Sequence, residues 1–184
     1  MNKLGIIQER LLTYQCKTIL DQESALKEIM QEIALMALAR AGFFRIAAFQ
    51  GGTCLRILYK LPRFSEDLDF VLEKSDKHFE WSNYIQCMLD EFNTYGLAVE
   101  FQDKKKSDKA IQSIFLKTNS VGGLLIIKSE QKTQFKIKLE IDTHPPCGSS
   151  YEMKYLDFPL PYSIKTQDLP SLFASKSHAL LCRQ

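Results

Sequence analysis

The 184-residue sequence predicts one mixed α+β (mixed α/β) domain. Three observations carry this. Residues 21–40 place apolar side chains at helical spacing. The short apolar run 45–49 ends in Gly51-Gly52. Residues 135–142 alternate apolar Phe135, Ile137, Leu139 and Ile141 with polar Lys136, Lys138, Glu140 and Asp142, the period-two signature of a half-buried strand. Helices interleaved with strands, followed by a run of strands, make a sheet with helices packed on it.

In chain order, Asp21 is placed to cap a helix over 21–40 whose apolar side is Ala25, Ile29, Ile33, Met36 and Ala37. Gly42 follows as the left-handed residue just past the last turn. Residues 45–49 read as a buried strand, Gln50-Gly51-Gly52 as a tight turn and 53–59 as a short helix broken at Leu61-Pro62. A second strand is expected at 68–72, then a helix over 78–95 with Phe79, Tyr84, Met88 and Phe92 on one side, where Trp81 also fits the core. Strands at 97–102 and 111–116 flank a lysine-rich turn, 104–109. Residues 124–127 suit either strand or helix. A Pro/Gly loop, 143–150, leads to short strands within 151–164 broken by prolines. Asp168 is placed to cap a last helix to 183. The expected organisation is N-terminal helices over about 1–44, a core over about 45–166 and a C-terminal helix over 168–183.

Composition narrows the function. With 45% hydrophobic and 25% charged residues, eight Gly and six Pro, the chain is neither collagenous nor largely disordered. A net charge of +2 excludes a wholly basic nucleic-acid coat protein. No apolar run reaches the roughly 18 to 20 residues that span a bilayer, and MNKLGIIQER lacks a leader pattern. Five dispersed cysteines without a CxxC, and His78, His144 and His178 without zinc or triad spacing, argue against a structural zinc and for reduced thiols in the cytoplasm. The small net charge conceals segregation. Residues 66–100 hold nine carboxylates against two lysines, a net −7, and residues 101–138 hold nine lysines against three carboxylates, a net +6. A basic half beside an acidic half suits a polyanion held next to a carboxylate site; solvated loops and strand faces are the alternative.

The chemistry concentrates between Phe49 and Phe70. A strand entering Gly51-Gly52 before a helix lets the backbone approach a ligand, with the N–H groups of Thr53 and Cys54 facing it as a phosphate cradle. Asp67 and Asp69, two apart on a strand, share a face. Two carboxylates flanked by Leu68 and Phe70 are costly to keep side by side without a cation between them. Mg²⁺ prefers a few carboxylates with phosphate oxygens and water. The layout is therefore one for phosphoryl or nucleotidyl transfer. Glu140 and Asp142 form a second same-face pair; either can supply a third metal ligand or a base if their strand lies beside 68–72, with Lys136 and Lys138 offsetting the charge. Arg63 and Ser65 just before the pair can hold phosphate oxygens, or simply form a turn. On the last helix Lys176 falls in line with Leu169, Leu172, Phe173 and Leu180, and either snorkels outward or reaches the site.

Gly51-Gly52-Thr53-Cys54-Leu55-Arg56 followed by Arg63-Phe64-Ser65-Glu66-Asp67-Leu68-Asp69-Phe70 resembles the AbiEii family of nucleotidyltransferase toxins, within the DNA polymerase β-like superfamily. Lys138-Leu139-Glu140-Ile141 is similar to that family's later strand, which carries a lysine and an acid. The segment 172–183 is similar to its AxKxxALxxR helix. The resemblance implies a nucleotidyltransferase fold with a central mixed sheet flanked by helices, an NTP substrate and two Mg²⁺. It implies Gly51, Gly52 and Ser65 around the triphosphate, with Thr53, Arg63 and Lys138 as further nucleotide contacts. It implies Asp67, Asp69 and Glu140 as metal ligands and Lys176 on the nucleotide phosphates. Members are toxins of toxin–antitoxin or phage-defence systems, and some similar toxins extend tRNA 3′ ends, so a tRNA or other RNA acceptor and a cognate antitoxin are the expected partners, with no membrane. Nucleotidylation of a protein, or nucleotide binding without turnover, are the alternative outcomes. The family continues beyond its lysine helix into an Arg-Asp…Asp motif, so the sequence, ending at Arg183-Gln184, is expected to be short relative to it.

Overall fold

A computed structural model describes residues 3–103, 110–119 and 135–182. The chain runs α1 (Lys3–Leu12), α2 (Ile19–Arg40), a 3-10 turn (Phe43–Arg45), β1 (Ala47–Gln50), α3 (Gly51–Tyr59), β2 (Leu68–Leu72), α4 (Ser82–Thr94), β3 (Glu100–Asp103), β4 (Ile111–Thr118), β5 (Phe135–Asp142), β6 (Tyr151–Leu156), β7 (Tyr162–Gln167) and α5 (Leu169–Cys182). The expected class holds: among the described residues, five helices accompany a seven-stranded mixed sheet in the order β3-β4-β5-β2-β1-β7-β6. β2 runs parallel to β5 and β1 parallel to β7; the other neighbours are antiparallel.

Several boundaries differ from the sequence reading for local reasons. Thr18, not Asp21, is the N-cap of α2. Its hydroxyl accepts from the Asp21 N–H while the Asp21 carboxylate accepts from the Thr18 N–H, a reciprocal capping box. Gly42 follows α2 with φ of +76°. The Gln50-Gly51-Gly52 turn is absent, because α3 starts at Gly51 itself. Residues 78–81 precede α4, and Phe79 and Trp81 enter the core from that turn. Asp168 caps α5 by accepting from the Ser171 N–H at 2.9 Å. The 104–109 turn and the 124–127 segment lie outside the described residues.

β5 shows how the sheet sorts its side chains. Phe135, Ile137, Leu139 and Ile141 are fully buried, and Lys136, Lys138, Glu140 and Asp142 stay partly or fully exposed. The buried side joins Leu68, Phe70 and Leu72 of β2 and the apolar residues of α2 and α4 in one core. Within it Phe43 packs edge-on to Phe70 at 4.9 Å and stacks on Trp81 at 5.6 Å between ring centroids. Burial of α2 on most sides includes Glu28 and Glu32, which are met by Arg56 at 2.7 Å and Arg10 at 2.8 Å. No helix of the described residues is long and apolar enough to cross a membrane.

Candidate active site

The site forms where β1 hands over to α3 beside β2. β1 and β2 pair antiparallel, placing Gln50 opposite Asp69. Gly51 therefore sits directly against the Asp69 side chain. It has φ of +82°, and a Cβ there would lie 2.8 Å from Asp69 Cβ and Cγ and closer still to a carboxylate oxygen. The lack of a side chain is what lets α3 begin against this carboxylate. Gln50, the N-cap of α3, makes no side-chain cap; its amide donates instead to Phe70 O at 3.2 Å. The first N–H groups of α3 thus remain available to an anion, with the positive end of the helix dipole behind them. A Cβ on Gly52 would stand 2.8 Å from Ser65 Oγ and 3.8 Å from Lys176 Nζ. Gly52, Ser65 and Lys176 therefore converge from three separate elements.

The carboxylates gather through strand register. β2 pairs parallel with β5, setting Asp69 level with Glu140 and Val71 level with Asp142. Neighbours across a sheet share a face, so Glu140, not Asp142, stands beside Asp69. Asp142 caps the following turn, accepting from the His144 N–H at 2.8 Å. Burial, then the charges of Asp67 and Glu140, raise the Asp69 carboxyl to about 6, against the opposing pull of Lys176 and Lys138. Asp67 is also raised, by burial first and by Glu140 and Glu66, while Lys138 pulls it down. Lys138 Nζ lies 2.6 Å from Glu140 Oε1. Among the described residues no group of three His, Cys, Asp or Glu is already arranged around a metal position. Even so, Asp67, Asp69 and Glu140 are hard oxygen donors crowded together, with Asp67 and Asp69 raised by their surroundings, a donor set whose chemistry fits a hydrated divalent cation shared with phosphate oxygens.

Two hollows meet at Asp69 and Lys176. The larger, about 920 Å³, is lined by Gly52, Ser65, Asp67, Arg63, Lys27 and Ser24, with Leu55, Leu61, Phe64 and Glu66. The smaller, about 230 Å³, lies between β5 and α5 and includes Glu140, Asp142, Ile111, Leu172 and Ser175. Eight of the ten residues singled out in the sequence line one or both: Gly51, Gly52, Arg63, Ser65, Asp67, Asp69, Glu140 and Lys176. Thr53 and Lys138 line neither. Thr53 is fully buried, and its hydroxyl donates to the backbone oxygen of Asp67. Lys138 is engaged with Glu140.

Sequence reasoning missed the contribution of α2. Ser24 and Lys27 reach the larger hollow, and buried Gln31 donates its amide to Ser65 O at 3.0 Å and Glu66 O at 2.9 Å. With Thr53 on Asp67 O, three consecutive carbonyls before β2 are held from behind by two helices. The available signal was a polar stripe at i, i+3 and i+7 (Ser24, Lys27, Gln31) along α2.

The profile of a family described as nucleotidyl transferase AbiEii toxin, type IV toxin–antitoxin system, matches residues 33–184. Two solved structures share the fold. One is assigned as a nucleotidyltransferase from H. pylori, with a TM-score of 0.50 at 19% identity over 82% of this chain and 56% of that one. The other is JHP933 from Helicobacter pylori, with a TM-score of 0.51 at 19% identity over 83% of this chain and 55% of that one. The chain thus spans about half the length of the solved structures it matches. No curated protein matches the sequence.

Proposed function

The chain belongs to the AbiEii family of nucleotidyltransferase toxins of type IV toxin–antitoxin systems, and from that premise we propose that it transfers a nucleoside monophosphate from Mg·NTP to an RNA 3′ hydroxyl. A tRNA-like RNA is the acceptor, the cytoplasm the setting and a cognate antitoxin the restraint. One observation carries the reading: the Gly51-Gly52 start of α3, Ser65 and Lys176 meet the Asp67–Asp69 pair at the junction of two hollows. Anion-binding groups beside paired carboxylates suit a nucleotide held with its cation.

The backbone of Gly51-Gly52, Ser65 Oγ and Lys176 Nζ bind and orient the β- and γ-phosphates, with Lys27 and Arg63 at the hollow's outer wall. Asp67, Asp69 and Glu140 would hold two Mg²⁺, which supply charge neutralisation of the attacking and leaving oxygens. The acceptor 3′ oxygen bonds to the α-phosphorus, the bond from that phosphorus to the bridging oxygen of pyrophosphate breaks, and Glu140 takes the hydroxyl proton. Gln31 and Thr53 keep the Ser65–Asp67 backbone rigid, so the carboxylates need little reorganisation.

Incubation with each α-labelled NTP and total tRNA tests this. Label should enter RNA with Mg²⁺ present and vanish in Asp67→Asn. Mg·NTP binding without transfer to any acceptor would count against the reading. Label on protein instead would reassign the acceptor.

A further inference from the structure

The side from which an acceptor reaches Asp67 and Asp69 follows from geometry. In-line displacement sets the attacking oxygen opposite the departing pyrophosphate. The anion-binding groups Gly52 and Ser65 lie on the β1–α3 flank of β2, and the other flank is β5 followed by β4. There, on the face that carries Glu140, the β4–β5 register places Ser113 beside Glu140, Phe115 beside Lys138 and Lys117 beside Lys136. Directly opposed like charges destabilise a strand pair, yet Lys117 and Lys136 face one another, and neither forms an ion pair with a described residue. Glu100 of β3 adjoins Lys117 in register. Lys136 Nζ instead rests 4.0 Å from the centroid of the Phe115 ring, a cation–π contact. An anion between the two lysines would remove their repulsion.

We propose that this β4–β5 face docks the single-stranded 3′ end of the RNA acceptor. Lys117 and Lys136 take its phosphates, and the terminal hydroxyl is delivered to Glu140 and Asp69. This rests on the RNA-acceptor reading above. Rows two residues apart on a strand are separated by about 6.6 Å, so the lysine pair stands about 13 Å along β5 from Glu140. That places it against the backbone just upstream of the reacting end. The charge favours a polyanion whatever its sequence.

The test uses the whole chain and a fluorescent RNA hairpin with a short 3′ overhang, titrated by anisotropy without NTP. The double variant Lys117→Ala/Lys136→Ala should lower affinity roughly tenfold and flatten the slope of log affinity against log salt by about 1.4, two lost single-strand contacts. Mg·NTP binding should not change, and Lys117→Arg/Lys136→Arg should retain RNA affinity. In the unaltered protein, an RNA ending in 4-thiouridine should photocrosslink to peptides from β4 or β5, a readout independent of the variants' folding. Unchanged affinity and slope in a folded double variant, or crosslinks confined to other elements, would overturn the docking face while transfer to RNA leaves the acceptor reading standing. Failure of the unaltered protein to bind or extend any RNA would overturn both.

Discussion

Asp69 offers a quantitative test, because its burial among carboxylates opposes folding in the absence of ligand. Its carboxyl moves from 3.8 to about 6, roughly two units at about 1.4 kcal/mol each. Below the unfolded value Asp69 is protonated in both states and imposes no penalty. As pH rises through about 4 to 6, the unfolded chain ionises first and the folded chain loses stability. Above about 6 the penalty is complete, at about 3 kcal/mol. Asp69→Asn keeps the shape and never ionises. It should therefore be more stable than the native chain by up to about 3 kcal/mol at about pH 7.5, and by much less near pH 4.5. Urea unfolding at both pH values without Mg²⁺ or nucleotide measures it. Mg·NTP should then stabilise the native chain more than the variant. No gain at pH 7.5, or an equal gain at both pH values, would refute the electrostatic account of this cluster.

Three further substitutions separate packing from binding. Gly51→Ala forces a Cβ at φ of +82° onto the Asp69 side chain and should cost about 2 to 4 kcal/mol in urea unfolding. Gly52→Ala meets only the rotatable Ser65 Oγ and the tip of Lys176, so calorimetry should show weakened Mg·NTP binding with stability little changed. Gln31→Leu strips donors from the carbonyls of Ser65 and Glu66. It should lower thermal stability by roughly 2 to 4 kcal/mol and weaken nucleotide binding although Gln31 lines neither hollow, which paired denaturation and binding measurements would show.

Much of the site was legible because it is local. Asp67 immediately precedes β2 and Asp69 lies within it, so their spacing alone keeps the two carboxylates together, and Gly51-Gly52 stand where the first strand ends, although the turn read there is the first turn of α3. Thr53 and Lys138 show the limit. Both sit inside the right motif, but a side chain one position along a helix or strand faces a different neighbour. Thr53 turns inward to the Asp67 carbonyl and Lys138 sideways to Glu140. The polar stripe of α2 was visible and unread, since a buried glutamine has no distinguishing pattern until the carbonyls it meets are known.

By itself the sequence determined the alternation of β5, the carboxylate pair, the glycines between the first strand and the helix that follows, and the family, because each depends on neighbours within one element or motif. Only the tertiary structure shows that Glu140, rather than Asp142, stands beside Asp69. That choice is the parallel register of β2 with β5, which brings together residues about seventy positions apart in the chain and is set by pairing apolar Leu68 with Leu139 and Phe70 with Ile141 on the buried side. A slip of one residue would turn Glu140 away from Asp69, so the core that fixes the register also assembles the site.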